Sequence, residues 1–292
     1  MKSINDIEIF ENVDMSKFTS YKTGGIAKYF VYPKTIQSLI ELMDYIKKNN
    51  VKYFLLGNGT NIIFTDDFYD GIIINLKKIK CLKIDKNLIN VSSGYSLQKL
   101  VNEVSKNSLG GLEFASGIPG TIGGAIYMNA GAYGSSISDY LLDITYLEDG
   151  IIKTVSKDKL KFGYRTSYFK KHKNIIILSA TFKLYSSDKN KIVNKIKEYT
   201  EKRIKSQPLE YPNAGSVFRN PENISAGALI EHNLNLKGYN VGDAYVSTKH
   251  ANFIVNMGKA KSVDIIKLIK VIQKDARDKE NIKLKLEQEI IK

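Results

Sequence analysis

The chain has 292 residues, of which 43% are apolar and 25% charged, and its formal net charge at pH 7 is +14. The length favours two domains, and the absence of a long apolar stretch or an apolar N-terminal signal core predicts a cytoplasmic protein without membrane insertion. The basic residues are mostly scattered lysines, which argues against nucleic-acid binding. The chain has a single cysteine, which argues against an internal disulfide and a cysteine-based metal site.

The first part of the chain alternates between strand and helix patterns. Strands are predicted at IAKYFVY, VKYFLL, IIF, GIIINL, KIKCLKI and NLINVS, and helices at TIQSLIELMDYIKKNN and SLQKLVNEVSKNS. The stretch GIPGTIGGAIYMNAGAYG (117–134) then contains six glycines and three alanines. So little side chain is not expected to build an ordinary element, and it indicates a tight turn, close packing or backbone approach to a ligand.

The second part contains mainly strand patterns over residues 140–185, with a turn at Asp149 and Gly150. A helix rich in lysine and glutamate follows, and the proline-punctuated segment PLEYPNAGSVFRNP after it indicates a domain boundary. Beyond it we expect a short helix at AGALIEHN, a strand ending in HANFIVN, a helix with Ser262 as its N-cap, and a final strand at IKLKLEQEIIK.

The turn GNGTN (57–61) follows a predicted strand and begins as G-x-G. A dinucleotide fingerprint is not supported, because Ile62 occupies the third glycine position and the following residues form a strand pattern rather than a helix. A plain turn and a nest of backbone N–H groups that binds an anion both remain open. Together with residues 117–134, the turn would suit one extended ligand with a central diphosphate, although a tightly packed structural crossover is the alternative.

LLGNGTNIIF and GIPGTIGGAIYMNAGAYG together resemble the FAD-binding domain of the vanillyl-alcohol-oxidase-like flavoproteins, and specifically that of the UDP-N-acetylenolpyruvoylglucosamine reductase family. Later motifs agree with that family in order: FGYRTSYF, PNAGSVFRNP, AGALIEHNLNLKGYNVGDAYVSTKHANFIVN and LEQEI. The resemblance runs from about Thr19 to the end. The chain has no long extra loop after Asn220, so it resembles the shorter subtype of the family, which lacks the tyrosine loop.

The resemblance implies an α+β fold. A PCMH/VAO-type FAD-binding domain would cover residues 1–187, with lobes at about 1–76 and 77–187. A smaller α+β substrate-binding domain would cover residues 188–292, and its last strand would return toward the active site.

The implied activity is the NADPH-dependent reduction of UDP-N-acetylglucosamine enolpyruvate to UDP-N-acetylmuramate by a monomeric enzyme, a cytoplasmic step of peptidoglycan synthesis. Hydride would pass from NADPH to FAD and then to the alkene carbon. The FAD would be non-covalent, because the glycine-rich loops hold no histidine or cysteine for flavin attachment. A related FAD-dependent oxidase of another small substrate and a non-catalytic nucleotide-binding protein on the same scaffold are the alternatives.

Three residues match the catalytic positions of the family. Arg165 could hold the pyruvyl carboxylate in bidentate fashion, Ser216 would donate a proton to carbon, and Glu289 would stabilise the intermediate or serve proton transfer. Glu287 competes with Glu289, because residues two apart on a strand share a face. The family register of Leu286 favours Glu289, although Ile291 stands where the family usually has arginine.

The resemblance also implies binding residues. Those for FAD are Gly57, Asn58, Gly59, Thr60, Asn61, Gly117, Ile118, Pro119, Gly120, Thr121, Gly123, Gly124, Asn129, Ala130 and Gly131. Those for the substrate are Tyr164, Arg219, Asn220, Lys249 and His250. No metal site is expected.

Overall fold

The computed structural model describes Met1, residues 4–172 and residues 174–292. These residues form two compact units. Unit 1 comprises Met1–Glu11, Tyr29–Asn58 and Gly71–Lys202, and unit 2 comprises Asn12–Lys28, Gly59–Asp70 and Arg203–Lys292. The compact units are thus drawn differently from the division expected at residue 187, and the assignment of cofactor and substrate roles to two domains remains a prediction.

The strands are β1 (Ile7–Asp14), β2 (Ile26–Pro33), β3 (Tyr53–Leu55), β4 (Ile62–Phe64), β5 (Tyr69–Ile74), β6 (Leu82–Asp85), β7 (Leu88–Ser92), β8 (Leu109–Gly110), β9 (Gly131–Ala132), β10 (Ser135–Ser136), β11 (Leu141–Glu148), β12 (Ile151–Ser156), β13 (Phe162–Gly163), β14 (Thr166–Ser167), β15 (Ile176–Lys183), β16 (Tyr185–Ser186), β17 (Asn240–Val241), β18 (Ala244–Val246), β19 (Ile254–Asn256) and β20 (Glu289–Ile291). The helices are α1 (Ile36–Lys48), α2 (Leu97–Lys106), α3 (Ile122–Met128), α4 (Tyr168–Lys171), α5 (Lys189–Ser206), α6 (Ala226–Ala228) and α7 (Ser262–Glu280), and a π-helical turn covers Leu229–Asn233.

Helices α1 and α2 confirm the predictions from their apolar spacing. Thr35 caps α1 by accepting a hydrogen bond from the Ser38 N–H, and Ser96 caps α2 in the same way. The apolar faces of both helices are buried: Leu39 and Leu42 of α1 have no exposed surface. Both helices therefore follow from local sequence together with one apolar stripe.

Two sheets supply most of unit 1. One has the strand order β1-β2-β5-β3, and α1 packs against its apolar residues. The other is a five-stranded antiparallel sheet with the order β12-β11-β15-β7-β6, and its core includes α2 and α3. Helices that pack against sheets, the larger of which is antiparallel, are as expected for an α+β fold.

The glycine-rich stretch contains a helix, α3, so the expectation that it is too poor in side chains for an ordinary element is wrong. Thr121 caps the N-terminus of α3, and Asn129 ends it in the left-handed conformation with a φ of 45°. Ile122 and Ile126 are fully buried in the core of unit 1. Tertiary burial of this narrow apolar stripe stabilises a helix that has low intrinsic propensity.

Unit 2 contains the three-stranded sheet β17-β18-β19, helix α7 and the parallel pair of β20 with β4. The prediction that Ser262 is the N-cap of α7 is wrong, because Lys261 occupies that position and Ser262 is the first helical residue. The Asp66 carboxylate instead accepts hydrogen bonds from the N–H groups of Ser262 and Val263. The buried Ser262 hydroxyl donates to the Phe64 carbonyl. Across the described part of the chain, no helix has the length and apolar content that crossing a bilayer requires.

Candidate active site

The first residue of GNGTN, Gly57, meets the glycine-rich stretch within unit 1. Gly57 follows β3, and a Cβ added there would lie 2.8 Å from the Thr121 hydroxyl. The Asn75 side chain donates to the carbonyls of Leu56 and Gly57, at 3.0 and 2.9 Å, and so fixes the course of the first loop. Asn58 is exposed beside it. Glycine at 57 is thus required by the close approach of the second stretch.

Three N–H groups at the start of α3 are already bonded within the protein. The Ile122 N–H donates to the Tyr95 carbonyl, the Gly123 N–H to the Ser93 carbonyl, and the Gly124 N–H to the Thr121 hydroxyl. These three N–H groups are thus not free donors in the structure, and the binding of FAD by this part of the stretch stays a prediction. Gly124 itself is exposed, and a Cβ there would meet only the Thr121 hydroxyl, at an ordinary 3.4 Å.

The residues before α3 retain the backbone conformations that favour glycine. Gly117 and Gly120 have φ angles of +83° and +150°. Between them, Ile118 is half-buried and Pro119 is exposed. This rigid turn presents backbone, with little side chain, at the surface of unit 1.

The remaining residues of GNGTN lie in unit 2 and contact its other segments. A Cβ at Gly59, whose φ is +65°, would clash with the Phe18 carbonyl oxygen. Thr60 is half-buried. The Asn61 side chain donates to the Glu287 carbonyl at 3.2 Å, and the Asn61 carbonyl accepts from the Glu289 N–H at 3.1 Å. Asn61 therefore holds the C-terminal segment, a role that sequence reasoning missed.

Arg165 lies in a hairpin that is tied to the end of α3. The turn Tyr164–Arg165 joins β13 to β14, and Arg165 has a φ of 52°. The Asn129 side chain donates to the Gly163 carbonyl at 3.0 Å, and the Ser167 hydroxyl donates to the Tyr127 carbonyl at 2.7 Å. These two bonds fix both strands of the hairpin against the glycine-rich stretch.

The Arg165 guanidinium lies near the Tyr164 ring, with its central carbon 5.3 Å from the ring centroid. Tyr164 is 57% exposed, whereas Arg165 is half-buried. Ala130 and Gly131 continue the stretch after Asn129, and a Cβ at Gly131 would lie 2.7 Å from the Ser135 carbonyl oxygen. This packing contact requires a residue without a Cβ at position 131.

Ser216 lies on a segment that runs antiparallel to the C-terminal residues within unit 2. Phe218 forms a bridge with Leu286, and the Glu287 N–H donates to the Val217 carbonyl at 2.9 Å. Ser216 and Glu289 are both half-buried. The structure therefore brings the segments of two predicted catalytic residues side by side, although about 70 residues separate them in sequence.

Among the four residues of unit 2 predicted to bind substrate, Arg219 and Asn220 follow the Ser216 segment. The buried Nε of Arg219 has no hydrogen-bond partner within residues 4–172 and 174–292. Asn220 is exposed, and its side-chain oxygen accepts from the Ala226 N–H at 3.1 Å. A buried guanidinium N–H without a partner fits an anionic ligand that supplies the missing acceptor.

Lys249 and His250 occupy the turn before β19. Lys249 is exposed and lies 3.5 Å from the Glu210 carboxylate. The His250 Nδ1 accepts a hydrogen bond from the Asn252 N–H at 3.2 Å. Burial lowers the pKa of His250 below its usual 6.5, although its own backbone and the Glu231 carboxylate oppose that shift. The imidazole is therefore neutral at pH 7.

Gln288 and Asn252 are further polar residues at this site that the sequence did not reveal. Gln288 is only 3% exposed and lies between the two candidate glutamates. The buried Asn252 side chain accepts from the Phe218 N–H and donates to the Phe218 carbonyl. Each interrupts an apolar strand pattern with an amide, and this was the only signal available before folding.

Comparison with known proteins identifies both domains of the chain. Residues 27–156 match the model of the FAD binding domain, and residues 207–291 match the C-terminal domain of UDP-N-acetylenolpyruvoylglucosamine reductase. The reductase of that name from Bacillus pumilus is 41% identical over 97% of this chain and 94% of its own length. The one from Clostridium tetani is 41% identical over 100% of this chain and 94% of its own length. The chain belongs to the UDP-N-acetylenolpyruvoylglucosamine reductase family.

A solved structure supports the same assignment. The crystal structure of UDP-N-acetylenolpyruvylglucosamine reductase from Thermus caldophilus matches with a TM-score of 0.82 and 31% identity, over 98% of this chain and 99% of that one. The predicted family and the α+β fold with an FAD-binding domain are thereby confirmed. The roles of the individual site residues remain predictions.

Proposed function

We propose that the protein reduces UDP-N-acetylglucosamine enolpyruvate to UDP-N-acetylmuramate, with FAD as its cofactor and NADPH as the hydride donor. The likeness to reductases of that name over nearly the whole chain, including both matched domains, carries this assignment. An oxidase of another substrate and a nucleotide-binding protein without catalysis are not favoured, because the C-terminal match is to the reductase family. The reaction serves peptidoglycan synthesis, and we place the enzyme in the cytoplasm as a monomer.

The described residues fit a non-covalent FAD. Within unit 1, Gly57 and Thr121 bring the two glycine-rich stretches together, and Gly117, Gly120 and the exposed Gly124 present backbone without a Cβ in the way. The FAD, when bound, supplies the two-electron step between NADPH and the alkene. The turn before α3 and the open surface at Gly124 would hold the FAD, because the N–H groups of Ile122, Gly123 and Gly124 are already bonded within the protein.

Ser216 acts as the proton donor in this proposal. Reduction of the enolpyruvyl double bond places negative charge on the pyruvyl group, and one carbon must then receive a proton. The Ser216 hydroxyl is half-buried on a segment whose neighbours at 217 and 218 are bonded to the C-terminal residues and to Asn252. A hydroxyl held in this way can meet the developing carbanion without a large change in geometry.

Arg165 and Glu289 are assigned the other two catalytic roles. Arg165 binds the pyruvyl carboxylate, because a planar guanidinium matches a carboxylate with two parallel hydrogen bonds. Glu289 begins β20, where its backbone N–H donates to the Asn61 carbonyl, and we assign its carboxyl group to proton transfer. Glu287 has a different position, since its N–H pairs with the Val217 carbonyl ahead of β20.

The substrate diphosphate is assigned to the region of Arg219. The buried Nε of this residue lacks an acceptor among the described residues, and a phosphate oxygen would provide one. Tyr164, Asn220, Lys249 and His250 are proposed as further substrate contacts.

The test uses the visible spectrum of the purified protein and one variant. We expect a yellow protein that NADPH bleaches without oxygen and that UDP-N-acetylglucosamine enolpyruvate recolours. Ser216→Ala should bleach at the wild-type rate but recolour at least about 100-fold more slowly, the usual scale for loss of a general acid. Ser206→Ala, at the end of α5, is the control and should behave as wild type.

A protein that takes up no FAD, or one that the enolpyruvyl ether fails to recolour, would refute the proposed activity. Recolouring of Ser216→Ala at the wild-type rate would instead leave the activity standing and remove Ser216 as the proton donor.

A further inference from the structure

We propose that Gln288 is a positioning residue that holds the Ser216 segment in register with the C-terminal strand and so aims the Ser216 hydroxyl at the substrate. The inference rests on the proposed function, since Ser216 must be the proton donor for its aim to matter. Gln288 itself contacts neither substrate nor cofactor in this proposal.

The side-chain amide of Gln288 forms hydrogen bonds through both its nitrogen and its oxygen. Its Nε2 donates to the carbonyls of Ala214 and Gly215, each at 3.1 Å, and its Oε1 accepts from the Tyr21 hydroxyl at 3.1 Å. Gln288 is 3% exposed and Tyr21 is 0% exposed. Both donors and the acceptor of a buried amide are thereby satisfied, which fixes the orientation of the side chain.

The hydrogen bonds from Gln288 reach the two residues that immediately precede Ser216, the proposed proton donor. Gly215 has a φ of +75°, and no atom lies within 4 Å of where its Cβ would be. The backbone of Gly215 is held by hydrogen bonds: its carbonyl accepts from Gln288, and its N–H donates to the Asn213 side chain at 3.0 Å. The second bond from Gln288 holds the preceding carbonyl, that of Ala214. On the other side of Ser216, the Asn252 side chain holds Phe218 through its N–H and carbonyl. Ser216 thus lies between two backbone segments that are held by the side-chain amides of Gln288 and Asn252.

The backbone of Gln288 is itself fixed. Asn61 donates to the Glu287 carbonyl and accepts from the Glu289 N–H, and β20 pairs in parallel with β4 from Glu289 onward. A shift of β20 would therefore move Gln288 and, through its side chain, the carbonyls of Ala214 and Gly215. Residues 287–291, which include Glu289, thus also set the position of Ser216.

Displacement of Ser216 should slow one step of the reaction, the proton transfer, more than the others. Proton transfer requires the donor to lie within hydrogen-bond reach of the carbon, and a displacement of about 1 Å can lower the rate by about 100-fold. Binding of a large UDP-sugar depends on many contacts, and reduction by NADPH does not involve Ser216. Loss of the Gln288 donors should therefore slow the protonation step and leave the other steps unchanged.

The test compares three variants of the FAD-loaded full-length protein. Gln288→Leu removes the donors and the acceptor, and Gln288→Glu keeps the acceptor for Tyr21 but replaces the two N–H donors with at most one O–H donor. Tyr21→Phe is the matched control, because it removes only the hydroxyl and leaves both Nε2 bonds in place. Anaerobic stopped-flow measures the bleaching by NADPH and the recolouring by the enolpyruvyl ether, in H₂O and in D₂O, and calorimetry measures the substrate Kd.

We expect Gln288→Leu and Gln288→Glu to recolour about 10- to 100-fold more slowly, with a larger solvent isotope effect, because proton transfer becomes limiting. Their bleaching rate should equal that of wild type, and their Kd should change by less than about 3-fold, roughly 0.6 kcal/mol. Tyr21→Phe should recolour within about 3-fold of wild type, since both Nε2 bonds remain.

Hydrogen exchange gives a readout that does not depend on activity or on FAD. The amides of residues 214–217 should exchange faster in both Gln288 variants than in wild type, whereas those of β19 should be unchanged. This measurement decides the matter even if a variant fails to retain FAD.

Wild-type recolouring and exchange in both Gln288 variants would overturn the inference. So would equal losses in bleaching, binding and recolouring, since these would indicate a general structural role. If wild-type protein is itself not recoloured by the enolpyruvyl ether, the proposed function fails first, which is a different result from a defect confined to the Gln288 variants.

Discussion

At the scale of single residues, His250 couples the proposed substrate site to pH. Its Nδ1 must be unprotonated to accept from the Asn252 N–H, and burial lowers its pKa below 6.5. Because the pKa is lower in the folded state than in the unfolded state, the stabilisation is complete above about pH 6.5 and is lost as the pH falls through the folded-state pKa.

His250→Asn tests this coupling, because an Asn side-chain oxygen can accept from the N–H two residues on without titrating. The loss of melting temperature between about pH 7.5 and about pH 5 should be smaller in His250→Asn than in wild type. His232→Asn, at an exposed position, is the control and should show the wild-type pH dependence. Equal pH dependence in all three proteins would contradict the assignment.

Some residues of the glycine-rich motifs have structural roles in the packing of the chain. Asn61 belongs to a stretch expected to bind FAD, yet its side chain bonds to the Glu287 carbonyl. Gly59 is required by the Phe18 carbonyl and Gly57 by Thr121. Part of the glycine-rich signature therefore serves the packing of the chain, and the residues left to face a cofactor are fewer than the motif suggests.

At the scale of elements, the start of α7 depends on a residue far away in sequence. Both carboxylate oxygens of Asp66 accept from the first N–H groups of the helix, at 3.0 and 2.9 Å, and the negative charge also favours this end of the helix dipole. Asp66→Ala should therefore lower the free energy of unfolding by about 1 kcal/mol, within a range of about 0.5–2 kcal/mol.

Urea unfolding of Asp66→Ala and of Asp67→Ala measures this effect. Asp67 is the neighbouring exposed carboxylate, so its loss removes the same charge without removing the cap bonds to α7. Equal stability of the two variants would show that the carboxylate of Asp66 acts only through general charge.

At the scale of the whole molecule, the net charge of +14 should assist anionic ligands. Both NADPH and the UDP-sugar are anions, and a positive protein attracts them over a Debye length that salt shortens. The KM for NADPH should rise several-fold between about 20 mM and about 300 mM salt, while kcat changes little.

NADH provides the control, because it lacks the 2′-phosphate and carries less negative charge. Its KM should rise less steeply with salt than that of NADPH. Identical slopes for the two nucleotides would indicate that long-range attraction does not contribute to their capture.

Much of the fold could be predicted from the sequence because its signals are local. The apolar spacing and caps of α1 and α2, the strands around the turn at Asp149 and Gly150, and the motif order each depend on residues that are near one another in the chain. Helix α3 could not be predicted, because its stability comes from burial of Ile122 and Ile126 rather than from helix propensity.

The sequence by itself determined the family, its chemistry and the candidate groups Arg165, Ser216 and Glu289, because motifs preserve residue type and spacing. Only the tertiary structure decided which distant residues hold the segments of Ser216 and Glu289 and the start of α7. Asn61, Gln288 and Asp66 each bond to a segment at least 70 residues away. Such partners are set by the folding of the backbone. In the sequence alone, a residue that becomes a buried amide or a capping carboxylate cannot be distinguished from any other polar residue.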